Sequence, residues 1–479
     1  MTLQVTNSLT GETEPFEPQD PDSVLLYYCG LTVSDLPHLG HARSWVHVDV
    51  MHRWLEQLGY DVRHVENFTD VNEKIVARTG EEFGDTEPEV ARHFVGETIE
   101  DMRSLNLKRA DVYPRVSEHV PEIIDLVETL LERGYAYEAN GSVYFDVSTF
   151  EEYGKLSNQD LDEIESQGDP DERSEKHNAA DFALWKAGEA HPDDAAPGGQ
   201  TWDSPWGEGR PGWHIECSAM STTHLDDSID IHVGGQDLIF PHHENEIAQS
   251  EAATGERFAS YWLHVNLLET EGEKMSSSLE NFFTVRNAVR EFGPNAIRMF
   301  LLSAAFDSKQ TYSEAALDEA VERWERLDRG YRTAVEAADS PDAGTKVVDE
   351  QLRATVEDAR KEFEAAMNDN FNTREAIAAL LEIASAVNKH TEGKRYDYQG
   401  LTDAIDAFET LGGEALGFAF DGDTGGDVRL AEELVELVLD VREDERAAGN
   451  YERADALRDD LEGLGITVED SDDGVEYRF

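Results

Sequence analysis

A chain of 479 residues is too long for one ordinary core and is expected to divide into several domains, each burying its own apolar interior. Its 103 acidic against 40 basic residues leave a formal charge of −63, which at low salt repels phosphates and argues against a nucleic-acid partner. No stretch approaches the ~20 apolar residues of a membrane span, and residues 1–23 lack the basic-then-apolar signature of a secretory leader, so a cytoplasmic protein is expected.

The acidity runs from the first twenty residues to the last ten without one dominant block, and eleven of the forty basic residues are Lys. That distribution resembles proteins adapted to concentrated salt. There the Debye length shrinks to ~3 Å, so short-range contacts decide binding and RNA is no longer excluded. Cys29 and Cys217 are the two cysteines, nearly two hundred residues apart. They cannot form a disulfide framework and are either buried thiols or metal ligands.

In chain order, Val24 to Tyr28 reads as a buried strand that ends at Cys29 and Gly30. From His41, the spacing of Ala42, Trp45, Val46, Met51, Trp54, Leu55 and Leu58 predicts a helix closed by Gly59, and Asp61 to Phe68 reads as a second strand. This is a βαβ unit, hence a parallel sheet. A helical region from about Glu89 to Gly134 precedes two alternating segments around Asn140-Gly141, a hairpin signal. Residues 158–200 read mostly as exposed connection, with Phe182 to Trp185 as the apolar exception and a return to the core near Trp202. Ile229 to Val233 is a further strand with Gly234-Gly235 as its turn and a helix from Pro241, and Tyr261 to Val265 is taken as the last parallel strand. Residues 313–340, 347–368 and 373–391 predict an antiparallel helical bundle, and the last fifty residues two helices and a short tail from Thr467 that can form strands.

The fold class is therefore α/β: a Rossmann-like parallel-sheet catalytic domain with an insertion, then an α-helical bundle and a small mixed C-terminal domain. The expected boundaries are 1–134 for the first half of the catalytic domain, 135–200 for the insertion and 201–290 for the second half. Residues 291–411 form the bundle, 412–427 a linker and 428–479 the C-terminal module.

Three residue groups carry chemistry. After the first strand, His38-Leu-Gly40-His41 stands at the mouth of a helix. Gly40 allows close backbone approach, the helix N-terminus offers N–H groups to anions, and the histidines can donate to a transferring phosphate. A pair of histidines that only caps the helix is the plainer alternative. After the last strand comes Gly272-Glu-Lys274-Met-Ser-Ser277-Ser, a polar loop with one cation able to close over a triphosphate. The third group spans Trp213-His-Ile-Glu-Cys217 and Gly234-Gly-Gln-Asp237 to His242-His-Glu-Asn-Glu246. His242 and Glu246 share a helix face, and with Cys29 and Cys217 they make an acceptable zinc shell. A metalloprotease is excluded, because no histidine stands four positions after His243 as His-Glu-x-x-His requires.

Together the His-Leu-Gly-His and Lys-Met-Ser strings resemble the paired signatures of class I aminoacyl-tRNA synthetases, and the third group sharpens the resemblance to cysteinyl-tRNA synthetases. It spans nearly the whole chain, including Phe371-Asn-Thr-Arg and Asp455-Ala-Leu-Arg458. The resemblance implies one zinc ion on Cys29, Cys217, His242 and Glu246, and ATP with Mg2+ held by Gly40, Asp237, Lys274 and Ser277. It implies His38, His41 and Lys274 as catalytic residues and Thr32 and Trp213 as cysteine contacts. The partners implied are tRNA(Cys), L-cysteine and ATP, for a monomeric enzyme. Ser277 departs from the family, whose loop carries Lys at that position. An apolar pocket separates cysteine from serine by only ~1–3 kcal/mol, whereas zinc prefers a thiolate, so no editing domain is expected. Trp213 as core packing and Asp237 as a turn residue are the plainer readings. Two rivals remain open: a ligase joining cysteine to an aminosugar on the same core, and a zinc-binding regulatory protein that has lost catalysis at Ser277.

Overall fold

The computed structural model describes residues 2–159, 170–188, 198–270, 273–274, 283–420 and a discontinuous set from 435 to 478. They divide into two compact units, Met1–Phe418 and Ala419–Phe479. No helix among the described residues is long and apolar enough to cross a membrane.

The first unit is built on four parallel strands: β1 (Ser23–Tyr28), β2 (Asp61–Glu66), β3 (Ile229–Gly235) and β4 (Ala259–Val265), in spatial order β4-β3-β1-β2. Val24, Leu26, Tyr27, Ile229, Ile231, Val233, Leu263 and Val265 are all buried, the mark of a sheet covered on both faces. Between β1 and β2 runs helix α1 (Leu39–Gln57), whose buried Ala42, Trp45, Val46, Met51, Trp54 and Leu55 follow the predicted spacing. It stops at Leu58, after which Gly59 takes φ +96. The chain leaves β1 toward β2 and β3 toward β4, in opposite directions, so the crevice beyond the neighbouring ends of β1 and β3 is a topological switch point. Ligands of parallel folds bind at such points.

Gly234 and Gly235 are not the turn expected after β3: they continue the strand and pair with His264 and Val265. The reason is close packing, since a Cβ on Gly234 would lie 2.4 Å from the ring of His243. Residues Ile239–His243 then form a kinked turn with Phe240 in extended conformation, and the regular helix α3 begins only at Glu244 and runs to Thr254. Helix α2 (Trp213–His224) precedes β3.

The insertion contributes three strands of a four-stranded antiparallel sheet in the order Ala136–Ala139, Ser142–Phe145, Phe182–Ala187, Gly209–Pro211, the fourth lying beyond residue 200. Asn140 and Gly141 join the first two with positive φ, as the hairpin signal predicts. Phe182 to Trp185 belongs to an interior strand rather than to an isolated anchor in an exposed connection. Its side chains pack with Val143, Phe145 and the helix face of Ile123, Val127 and Leu130. After β4, a short parallel pairing of Leu268–Thr270 with Gln310–Tyr312 also takes Glu273–Lys274 along the other edge of Leu268–Thr270.

The bundle comprises Glu314–Ala338, Glu350–Met367, Thr373–Thr391 and a further helix, Tyr398–Ala407. Ser313, Asp349, Asn372 and Asp397 accept backbone N–H bonds at their respective N-termini. In the second unit Val435, Leu439 and Leu461 are buried together, and Thr467–Ser471 pairs antiparallel with Gly474–Arg478.

Candidate functional site

A cleft of about 630 Å³ opens at the switch point between β1 and β3. Its lining includes Cys29 and Thr32 beyond β1, His38, Gly40 and His41 at the start of α1, Trp213 and Cys217 on α2, and Asp237 and His242 beyond β3. Every predicted site residue among those described with side chains is therefore on this wall, except Glu246, which lies beneath it. Lys274 has a described backbone in the strand pair Glu269–Thr270 with Glu273–Lys274. Ser277 lies outside the described residues.

On the cleft floor, Cys29 Sγ stands 3.2 Å from Cys217 Sγ, 3.3 Å from His242 Nε2 and 3.5 Å from Glu246 Oε1. His242 Nε2 is 3.1 Å from the same Glu246 oxygen. All four residues are buried, and both thiols are free. A tetrahedral shell with zinc bonds of ~2.0–2.3 Å has donor–donor edges of about 3.3–3.8 Å, so the separations involving His242 and Glu246 fit such an ion within a few tenths of an ångström, while the two sulfurs would move apart by roughly half an ångström. A second donor group, Cys29, His232, His243 and Glu246, overlaps the first. The first is the better shell, because it has two thiols and because Glu246 Oε2 is already taken by His232 Nε2 at 2.9 Å.

The local electrostatics favour charge on the anionic donors, whereas His242 holds a proton that metal binding must displace. Burial raises the Glu246 carboxyl, but His232 and His242 outweigh it and hold the group well below its ordinary range. Burial likewise opposes charge on His242, yet Glu246 and Cys217 push it up to about 10. Cys217, despite burial, is drawn down to about 6 by its hydrogen bond with Cys29 and by His242, while burial pushes Cys29 up. One thiolate is thus favoured even without an ion. Burial keeps His214 neutral, well below its ordinary value, so its Nδ1 can accept from His242 Nδ1 at 3.0 Å and turn His242 Nε2 toward the sulfurs.

At the other end of the cleft, His38 and His41 stack with centroids 3.8 Å apart and an interplanar angle of 15°. The His38 N–H donates to His41 Nδ1 at 3.2 Å. The capping role considered from sequence is real, and it coexists with a place on the cleft wall. The backbone of this turn is tied to the segment beyond the Lys-Met-Ser string. Leu39 N–H donates to the Phe283 carbonyl at 3.1 Å and Val285 N–H to the Pro37 carbonyl at 2.9 Å. Trp213 is not core packing: it is 40% exposed at the rim, with its ring 4.4 Å from that of His242.

Sequence reasoning missed the supports of this floor. Asn67 Oδ1 accepts from the Gly30 N–H at 2.9 Å and the Tyr27 hydroxyl at 3.1 Å, fixing the turn that carries Cys29. A chain of His243, His264 and Ser8, at 2.8 and 2.7 Å, backs the kinked turn before α3. A signal existed for His232: the alternation of Ile229 to Val233 places it and Asp230 on the face opposite the two isoleucines. Lys74, Arg78 and Asn266 also line the cleft and were not singled out.

Comparison with known proteins agrees with this geometry. Residues 15–322 match the family described as tRNA synthetases class I (C) catalytic domain, 362–421 the DALR domain, and 427–478 the cysteinyl-tRNA ligase anticodon binding domain. Over the whole of both chains, the protein is 69% identical to a cysteine–tRNA ligase of Haloarcula marismortui and 65% identical to one of Halobacterium salinarum, both halophilic relatives. It is 44% identical to a cysteine–tRNA ligase of Thermococcus onnurineus, across 100% of this chain and 99% of that one. In fold it is similar to Mycobacterium tuberculosis methionyl-tRNA synthetase in complex with methionyl-adenylate. The TM-score is 0.61 at 15% identity, over 81% of this chain and 89% of that one. A class I fold, family matches along both units and full-length relatives place the chain in one family: it belongs to the cysteine–tRNA ligases, class I aminoacyl-tRNA synthetases.

Proposed function

We propose that the chain activates L-cysteine with ATP and Mg2+ to cysteinyl-adenylate and transfers the cysteinyl group to the 3′ adenosine of tRNA(Cys), with zinc selecting the substrate thiolate. The observation that carries this reading is the buried quartet Cys29, Cys217, His242 and Glu246 on the floor of the cleft whose other wall holds His38, Gly40 and His41. Bound to that quartet, zinc supplies a preference for a thiolate over a hydroxyl that apolar contacts cannot match.

The side chains then divide the work. Trp213 closes the rim over the amino-acid side chain, and Thr32 contacts the cysteine. Asp237 accepts from the nucleotide ribose. Gly40 lets a phosphate approach the helix N-terminus, and His38, His41 and Lys274 donate to charge growing on the phosphates as the carboxylate attacks and pyrophosphate leaves. Ser277 contributes a hydroxyl where relatives of the family pattern offer a cation, so Lys274 bears more of the load. No side chain need act as a nucleophile, since orientation and charge stabilisation supply the acceleration.

Of the rivals, the aminosugar ligase shares the core but has no use for an anticodon module, and the match over 427–478 supports the synthetase. The test is cysteine-dependent ATP–pyrophosphate exchange and charging of tRNA in molar KCl, with and without zinc chelation and with serine as control. Zinc-dependent exchange and charging that ignore serine are expected. Exchange without charging would favour the aminosugar ligase, and neither activity would favour a regulatory protein.

A further inference from the structure

Arg43 stands two residues beyond His41 on α1 and is fully buried. Every nitrogen of its guanidinium donates. Nε reaches the Asn266 carbonyl at 3.0 Å, one terminal nitrogen reaches the Leu301 carbonyl at 3.3 Å and the side-chain oxygen of Gln310, and the other reaches the carbonyls of Ala305 and Ser308 at 2.9 and 2.7 Å. Its acceptors are thus carbonyl and amide oxygens, arranged around a rigid planar fork. A lysine ammonium, a point donor on a flexible stem, cannot reproduce that pattern.

What these acceptors belong to gives the arrangement its meaning. Asn266 follows β4 directly and lines the cleft. Gln310 begins the strand Gln310–Tyr312, where it pairs with Leu268, and it is itself oriented by donating to the Phe300 carbonyl at 2.6 Å. One residue on, Glu269 pairs with Thr311 on one side and with Lys274 on the other. A continuous set of contacts therefore runs from the helix that carries His41, through Arg43 and Gln310, to the strand that carries Lys274.

We propose that Arg43 is a positioning residue for adenylate formation, fixing the strand pair that carries Lys274 at a set distance from His38 and His41. The proposal rests on the reading that Lys274 and the two histidines act on the same triphosphate. It assigns Arg43 no contact with substrate. The quartet is held by α2, α3, the turn before α3 and the turn after β1, and among the described residues Arg43 donates to none of these, so cysteine binding should be indifferent to it.

The test uses the full-length zinc-loaded protein in molar KCl. Arg43→Lys keeps the charge and gives up the fork, and Gln310→Met removes one acceptor without touching the arginine. Zinc content, Tm, cysteine KM and kcat of ATP–pyrophosphate exchange are measured for each. Zinc content is expected to be unchanged and cysteine KM to stay within about twofold. The kcat is expected to fall, by about 10²-fold for Arg43→Lys, the cost of an ångström of misplacement, and by less for Gln310→Met. In a Lys274→Ala background Arg43→Lys should cost little more, because the group it positions is gone. Full additivity of those two substitutions, an unchanged kcat, or a loss shared equally by zinc content and cysteine KM would overturn the proposal. Should Arg43→Lys fail to fold, Gln310→Met carries the same comparison. A wild-type protein without cysteine-dependent exchange would instead remove the functional reading on which it stands.

Discussion

His232 donates from Nε2 to Oε2 of Glu246 across 2.9 Å, with both side chains fully buried. The carboxylate is an acceptor on both oxygens, so this bond turns its other oxygen toward Cys29 and His242. Partners of this kind orient metal ligands and typically account for 10- to 100-fold in affinity. His232→Leu is therefore expected to weaken zinc binding by roughly 10–100-fold while the ligands themselves stay in place, as read by competition with a chromophoric chelator. An unchanged affinity would mean that α3 alone sets the carboxylate.

Gly40 has a steric reason to be glycine. A Cβ there would sit 2.8 Å from Cε1 and 2.9 Å from Nδ1 of His38, forcing that ring off its stack with His41. Gly40→Ala is expected to lower kcat of cysteine-dependent exchange by about 10²-fold, with cysteine KM and zinc content preserved. Steady-state kinetics beside a zinc assay decide it, and a variant that instead loses zinc would place the histidines at the metal end of the site.

Trp213 makes a different prediction because it is at the rim. Covering a substrate side chain of modest size contributes about 1.5–3 kcal/mol, so Trp213→Ala should raise cysteine KM by roughly ten- to a hundredfold. Because its ring only flanks His242, zinc stoichiometry should not change. A Trp213→Ala protein with wild-type KM would return this residue to a purely structural role.

Glu66 gives a pH dependence with a definite sign. It is buried at the end of β2 and accepts from Trp45 Nε1 at 3.0 Å, and burial raises its carboxyl from 4.5 to about 8. The native state then holds this proton more tightly than the unfolded chain. Between about 4.5 and about 8 the native state carries more protons, so this group's contribution makes stability fall as pH rises through that window. Glu66→Gln should abolish that part of the slope and gain stability relative to wild type at pH 8. Denaturation midpoints at pH 5 and pH 8 test it, and equal slopes for the two proteins would show that the buried carboxyl ionises without penalty.

The sequence by itself determined the parts whose partners are near in the chain or whose chemistry is confined to short strings. The spacing from Ala42 to Leu55 specified α1, and Asn140-Gly141 specified its hairpin, because helix periodicity and turn chemistry are local. The strings around His38, Cys217 and His242 were legible for the same reason. The tertiary structure decided everything that depends on residues meeting from afar. Phe182 to Trp185 reads as an isolated apolar run until Ser142–Phe145 and Gly209–Pro211 flank it. Gly234 reads as a turn until His243 is seen to occupy the space of its missing side chain. Sequence order supplied the four donors, but only folding brought Cys29 within 3.5 Å of residues about two hundred positions away and gave Glu246 a buried histidine. Arg43 shows the same limit: nothing in its neighbourhood along the chain names Asn266 or Gln310, and its role follows from a packing geometry that pairwise spacing does not encode.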